Sequence, residues 1–129
     1  MNWLAYYQER QEEMVSFLRE LVLRESPSHN KQAVDACCDW LIGELKRMGL
    51  EVTIYPQEEI GQLTSALLPL GERETPILLL THIDTVWPVG QLKEMPWRVD
   101  KGQNRIYGPG VLDICLLYTS DAADEGLGV

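Results

Sequence analysis

A chain of 129 residues with 45% hydrophobic content is long enough for one domain at most, and at that size it buries roughly two-thirds of the surface its unfolded form exposes. Its formal charge is −9, or −6 once Asp121, Asp124 and Glu125 near the C-terminus are set aside, a balance that argues against nucleic acid or anionic membrane as partners. No run reaches membrane-spanning length, and residues 1–10 lack the basic start and apolar core of a signal peptide, which leaves the cytoplasm as the expected compartment.

In chain order, Trp3 to Arg24 sets Tyr7, Met14, Leu18, Leu21 and Val22 among charges, the pattern of one amphipathic helix ended by Pro27. Asn30 is suited to cap a second helix, whose Val34, Cys38, Leu41, Leu45 and Met48 recur every three or four residues before Gly49 closes it. Cys37 and Cys38 are adjacent on that helix, so they cannot form an ordinary disulfide framework and read as small buried apolar residues. From Leu50 the period shortens: Val52 and Ile54, then Ala66 to Leu68, read as strands separated by residues 57–61, and residues 76–81 read as a fully buried strand. Trp97 to Val99 and Arg105 to Tyr107, joined through Asp100-Lys101-Gly102, suit a hairpin. The expected architecture is α/β, with helices packed on a mixed β-sheet.

The chemistry-bearing residues sit at two places. In Thr81-His82-Ile83-Asp84-Thr85-Val86, side chains two apart in an extended segment point the same way, so His82 and Asp84 share a face at the exit of the expected strand, where open α/β sheets bind ligands. A metal-binding histidine generally gives its other ring N–H to a carboxylate, and Asp84 is placed for that task. Twenty-nine residues after Asp84 comes Asp113, delivered by Gly108-Pro109-Gly110, a combination that turns tightly and allows close backbone approach. Taken alone, an H-x-D triplet recurs by chance and reads equally well as a hydrogen-bonded surface histidine, and Gly-Pro-Gly signals only a turn. His29 reads as a turn residue, Glu58 and Glu59 as a solvated loop pair, and Trp87 and Trp97 as cleft or core aromatics.

Residues 78–86 together with Tyr107-Gly108-Pro109-Gly110-Val111-Leu112-Asp113 resemble the family of acetylornithine deacetylases, succinyl-diaminopimelate desuccinylases and glutamate carboxypeptidases, which are two-zinc metallopeptidases and amidohydrolases. The likeness extends upstream to Leu18-Arg19-Glu20-Leu21-Val22, to the serine-proline turn Glu25-Ser26-Pro27-Ser28-His29, and to Asp39 through Val52, so that it spans roughly residues 10–113 in order. It implies a zinc-exopeptidase-like catalytic domain in which His82 is the first Zn(2+) ligand, Asp84 the catalytic carboxylate that orients it, and Asp113 the carboxylate bridging two zinc ions. It further implies hydrolysis of a small peptide or an N-acyl amino acid by zinc-activated water, and a dimerisation domain in the complete protein. Trp87-Pro88-Val89-Gly90 and Pro96-Trp97 resemble the glutamate carboxypeptidase branch more than the deacylases, which stay the alternative.

After Asp113 the family pattern stops. Where a Lys-Gly-Gly helix opening belongs, the chain reads Ile114-Cys115-Leu116-Leu117-Tyr118-Thr119-Ser120, and Cys115 to Glu125 resembles the translation of a transposase adaptor used for sequencing libraries. We therefore read residues 1–113 as the N-terminal part of the catalytic domain and 114–129 as a non-native tail. Coordination arithmetic agrees. A catalytic zinc takes three protein ligands plus water, and the chain has only two histidines, His29 and His82, so the 129 residues alone are expected to be an inactive fragment.

Overall fold

A computed structural model describes residues 2–69, 71 and 77–112. The architecture is α/β: three helices accompany two small antiparallel sheets. Helix α1 (Trp3–Glu9) is capped by Asn2, whose side chain accepts the Ala5 N–H at 3.3 Å. Helix α2 (Gln11–Val22) follows after Arg10, which leaves helical geometry at φ −102°, ψ 5°. The expected single helix over 3–24 is thus two helices. Only the C-terminal end of α2 meets the core, where Leu21 and Val22 are buried, whereas Tyr7 and Met14 stay exposed. Among the described residues α1 buries no side chain, so the upstream turns lack the core packing that would hold a continuous rod.

Helix α3 (Lys31–Arg47) begins and ends where local chemistry requires. Asn30 Oδ1 accepts the Ala33 N–H at 3.1 Å, and Gly49 takes the left-handed φ of 87° past the last turn. Its buried face is Val34, Cys37, Cys38 and Ile42. That stripe is rotated from the expected one, for Leu41 and Leu45 are only half-buried and Met48 is exposed. Phe17 of α2 packs on Trp40 with ring centroids 5.2 Å apart, and the Arg24 guanidinium lies 4.0 Å from the Trp40 ring centre. Leu21, Val22, Val34, Cys37, Cys38 and Ile83 form one buried cluster.

Strands β1 (Glu51–Tyr55) and β2 (Leu63–Leu67) pair antiparallel, with Glu51 opposite Leu67 and Tyr55 opposite Leu63. The loop between them is pinned to α3 at two points. Asp35 accepts the Gln62 N–H at 2.7 Å while its other oxygen takes Lys31 Nζ at 2.6 Å, and these hydrogen bonds, Lys31 first, hold its carboxyl below the usual range. Gly61 lies so close to Val34 that a Cβ there would stand 2.8 Å from the valine Cβ, which only glycine avoids. Strands β3 (Arg98–Asp100) and β4 (Arg105–Tyr107) form the expected hairpin, its turn closed by Gln103 N–H donating to Asp100 Oδ1 at 3.0 Å.

The fully buried strand expected over residues 76–81 is not formed among the described residues. Ile77 to Leu80 are between 73 and 81% exposed, and no strand ladder reaches them. Apolar composition favours a strand only when neighbouring strands accept its backbone groups and cover its faces, and among the described residues β1 and β2 pair with each other and with no third strand. Among the described residues, parallel pairing takes the form of one isolated bridge between Pro27 and Thr85.

Candidate metal-binding site

That bridge is what positions the candidate site. Ser26 is 1% exposed, and its hydroxyl donates to the Ile83 carbonyl at 2.7 Å, a contact across 57 residues of sequence. Its carbonyl accepts the Thr85 N–H at 2.8 Å, and the Thr85 carbonyl accepts both the Ser28 N–H at 2.9 Å and the Ser28 hydroxyl at 3.1 Å. Held this way, residues 82–85 alternate as an extended segment does: Ile83 and Thr85 turn inward, and His82 and Asp84 turn outward. The shared face inferred for His82 and Asp84 is therefore present, though the strand expected to lead into it is not.

His82 Nδ1 lies 3.2 Å from Asp84 Oδ1 and 3.1 Å from the Asp84 carbonyl oxygen. Both neighbours are acceptors, so the neutral tautomer that satisfies them is the one with its proton on Nδ1 and the lone pair on Nε2. The His82 side chain is 49% exposed and that of Asp84 37%, so the imidazole is reachable from solvent. A carboxylate on one ring nitrogen and a free lone pair on the other is the donor arrangement that zinc takes from histidine, and on that chemistry His82 and Asp84 fit the implied metal. Among the described residues no three His, Cys, Asp or Glu side chains converge.

Asp113, the expected bridging ligand, lies outside the described residues, as do the tail residues 114–129. The segment that leads to it is described as far as Leu112. Gly108 packs against Val22 and Trp97, where an added Cβ would come within 3.2 Å of Val22 Cγ1, and Gly110 takes φ 76°. Pro109 shares a small recess with Ser26, Thr85, Trp87 and Pro88. Pro109 of the Gly-Pro-Gly turn and Thr85, the residue after Asp84, thus line one recess.

His29 is exposed in the turn before α3, and Glu58 and Glu59 are exposed in the β1–β2 loop, as expected of solvated residues. Cys37 and Cys38 are buried free thiols. Burial pushes both upward, Cys38 to about 11, with the negative charges of Cys37, Asp35, Asp39 and Asp84 adding to the effect on Cys38. Neither is poised as a thiolate ligand or nucleophile. What sequence reasoning missed is the work of Ser26 and Ser28. The available signal was two hydroxyls flanking Pro27 in a turn too short to be a helix, since such residues satisfy backbone groups of other segments.

The chain is 28% identical over 112 residues to Carboxypeptidase G2 of Pseudomonas sp. (strain RS-16), a match that takes in 81% of this chain and 25% of that protein. It is distantly similar to a carboxypeptidase. The chain spans about a quarter of the length of this curated relative. No protein-family model matches it.

Proposed function

We propose that residues 1–113 are the N-terminal part of the catalytic domain of a metal-dependent, carboxypeptidase-like hydrolase that cleaves peptide or amide bonds with a two-zinc site, and that residues 114–129 are a non-native tail. The observation that carries the reading is the 3.2 Å approach of Asp84 Oδ1 to His82 Nδ1, which leaves Nε2 as a metal donor. The similarity to Carboxypeptidase G2 supports the choice of a carboxypeptidase over an N-acyl amino acid deacylase.

In this reading His82 and Asp113 would hold the zinc, and Asp84 would fix the tautomer of His82. Zinc, when bound, supplies Lewis acidity that acidifies water and polarises an amide carbonyl. Ser26 and Ser28 hold the backbone on either side of Asp84, the residue whose carboxylate meets His82 Nδ1. A small peptide or N-acyl amino acid is the proposed substrate and the cytoplasm the proposed location. No described helix is long and apolar enough to cross a membrane.

The test is the coding sequence continued past the codon for Asp113, expressed as wild type and as His82→Ala. The wild type is expected to carry two zinc ions and to release C-terminal glutamate from peptides, and the variant to lose one ion and its activity. Full zinc content and activity in the variant would refute the assignment, and hydrolysis confined to N-acetyl or N-succinyl amino acids would move it to the deacylases. The 129 residues alone are expected not to bind two zinc ions tightly by calorimetry. Codons for residues 115–125 that differ from the adaptor would disprove the tail reading.

A further inference from the structure

Glu25 combines a strained backbone with a long-range contact. Its φ of 39° is left-handed, a conformation that non-glycine residues rarely adopt and that persists where the surroundings over-determine it. Its carboxylate Oε1 accepts two backbone N–H groups from far along the chain, Gly90 at 2.9 Å and Leu92 at 3.0 Å. These open a single 3-10 turn, Gln91–Lys93, whose N-cap Gly90 is itself left-handed at φ 99°. Unpaired N–H groups at such an end favour a carboxylate.

The neighbouring residue, Ser26, fixes Ile83 and Thr85. Two consecutive residues therefore hold the two ends of residues 83–92. Ser26 holds the end beside His82 and Asp84, and Glu25 the end beyond Trp87. Trp87 lines the same recess as Glu25 and Thr85, and its N–H donates to Thr85 Oγ1 at 3.2 Å. Leu92 packs against the core cluster, so the anchored end is tied to the body of the protein.

We propose that Glu25 is a positioning residue for the substrate side of the His82–Asp84 site, anchoring residues 87–92 and so fixing Trp87 in the recess that Glu25 and Thr85 also line. This rests on the proposed hydrolase function. Ser26 serves the metal side and Glu25 the substrate side, so loss of the Glu25 carboxylate loosens Trp87 and leaves the metal donors in place.

Two measurements test it on Glu25→Ala and Glu25→Gln. In the 129-residue chain, amide exchange at Gly90 and Leu92 is expected to quicken at least roughly tenfold in E25A, with most protection restored in E25Q, which keeps an acceptor oxygen. In the full-length protein, E25A is expected to raise KM roughly five- to tenfold with kcat and zinc content retained, and E25Q to fall between E25A and wild type. Equal exchange at Gly90 and Leu92 in wild type and E25A overturns the anchor. Faster exchange spread evenly over α2 and α3 overturns the positioning role, and so does a fall in zinc content or in kcat alone. Should E25A fail to fold, Glu25→Leu, which keeps the bulk and lacks the acceptor, carries both measurements by the same criteria. A wild-type protein that neither binds zinc nor hydrolyses peptides refutes the hydrolase reading itself, a failure distinct from an active wild type whose KM ignores Glu25.

Discussion

Removing one hydroxyl, in Ser26→Ala, tests whether the turn between α2 and α3 holds the His82–Asp84 segment. The Ser26 hydroxyl sits 2.7 Å from the carbonyl of Ile83, in a residue pair of which Ser26 is 1% and Ile83 8% exposed. Alanine leaves that buried acceptor without its donor, at a cost of about 1–3 kcal/mol, while the backbone bond from Thr85 N–H to the Ser26 carbonyl is untouched. With a urea dependence of about 1.5 kcal/mol/M, the middle of the cost range lowers the unfolding midpoint by roughly 1 M. Ser28→Ala is the internal control. Its hydroxyl shares the Thr85 carbonyl with its own backbone N–H, so that acceptor stays satisfied and the expected change is within about 0.5 kcal/mol. Urea unfolding followed by tryptophan fluorescence measures both, and Thr85 amide exchange should quicken in S26A before the rest of the chain does. An S26A midpoint within about 0.2 M of wild type, or one no lower than that of S28A, would show that the hydroxyl does not hold the segment.

Gly61→Ala is expected to destabilise by about 1–3 kcal/mol because its Cβ would intrude on Val34, whereas Gly43→Ala, in α3 with open space around it, should stabilise by about 0.5–1 kcal/mol; thermal unfolding of the pair checks both signs. Equal effects would mean that the β1–β2 loop does not press on α3. Cys38, raised to about 11 by burial, should react with iodoacetamide far more slowly at pH 8 in the folded chain than in urea. Because its folded value lies above the unfolded one, the protonated thiol favours the folded state; that contribution is whole below the ordinary thiol range and is withdrawn as the pH rises towards and through about 11. A folded-state labelling rate that matches the unfolded one at pH 8 would contradict the burial of this thiol.

The sequence by itself determined what short-range chemistry decides. Asn30 and Gly49 mark the ends of α3 because a cap needs only a side chain and the adjacent turn, or a residue free to adopt positive φ. The β3–β4 hairpin and the burial of Cys37 and Cys38 were legible for the same reason. So was the pairing of His82 with Asp84, since alternation along an extended segment puts residues two apart on one side.

Tertiary structure alone decided the rest. The break at Arg10 depends on where α2 finds something to pack against, and helical periodicity continues through it. The run from Ile77 to Leu80 has every local mark of a buried strand and forms none among the described residues, because a strand is a pairing and its partners are not a property of its own letters. Above all, the hold of Ser26 on residues 83–85 and of Glu25 on Gly90 and Leu92 joins positions more than fifty residues apart. Hydrogen bonds of that kind follow from the path of the backbone through space, and no periodicity in the chain encodes which distant carbonyl or N–H a given side chain will meet.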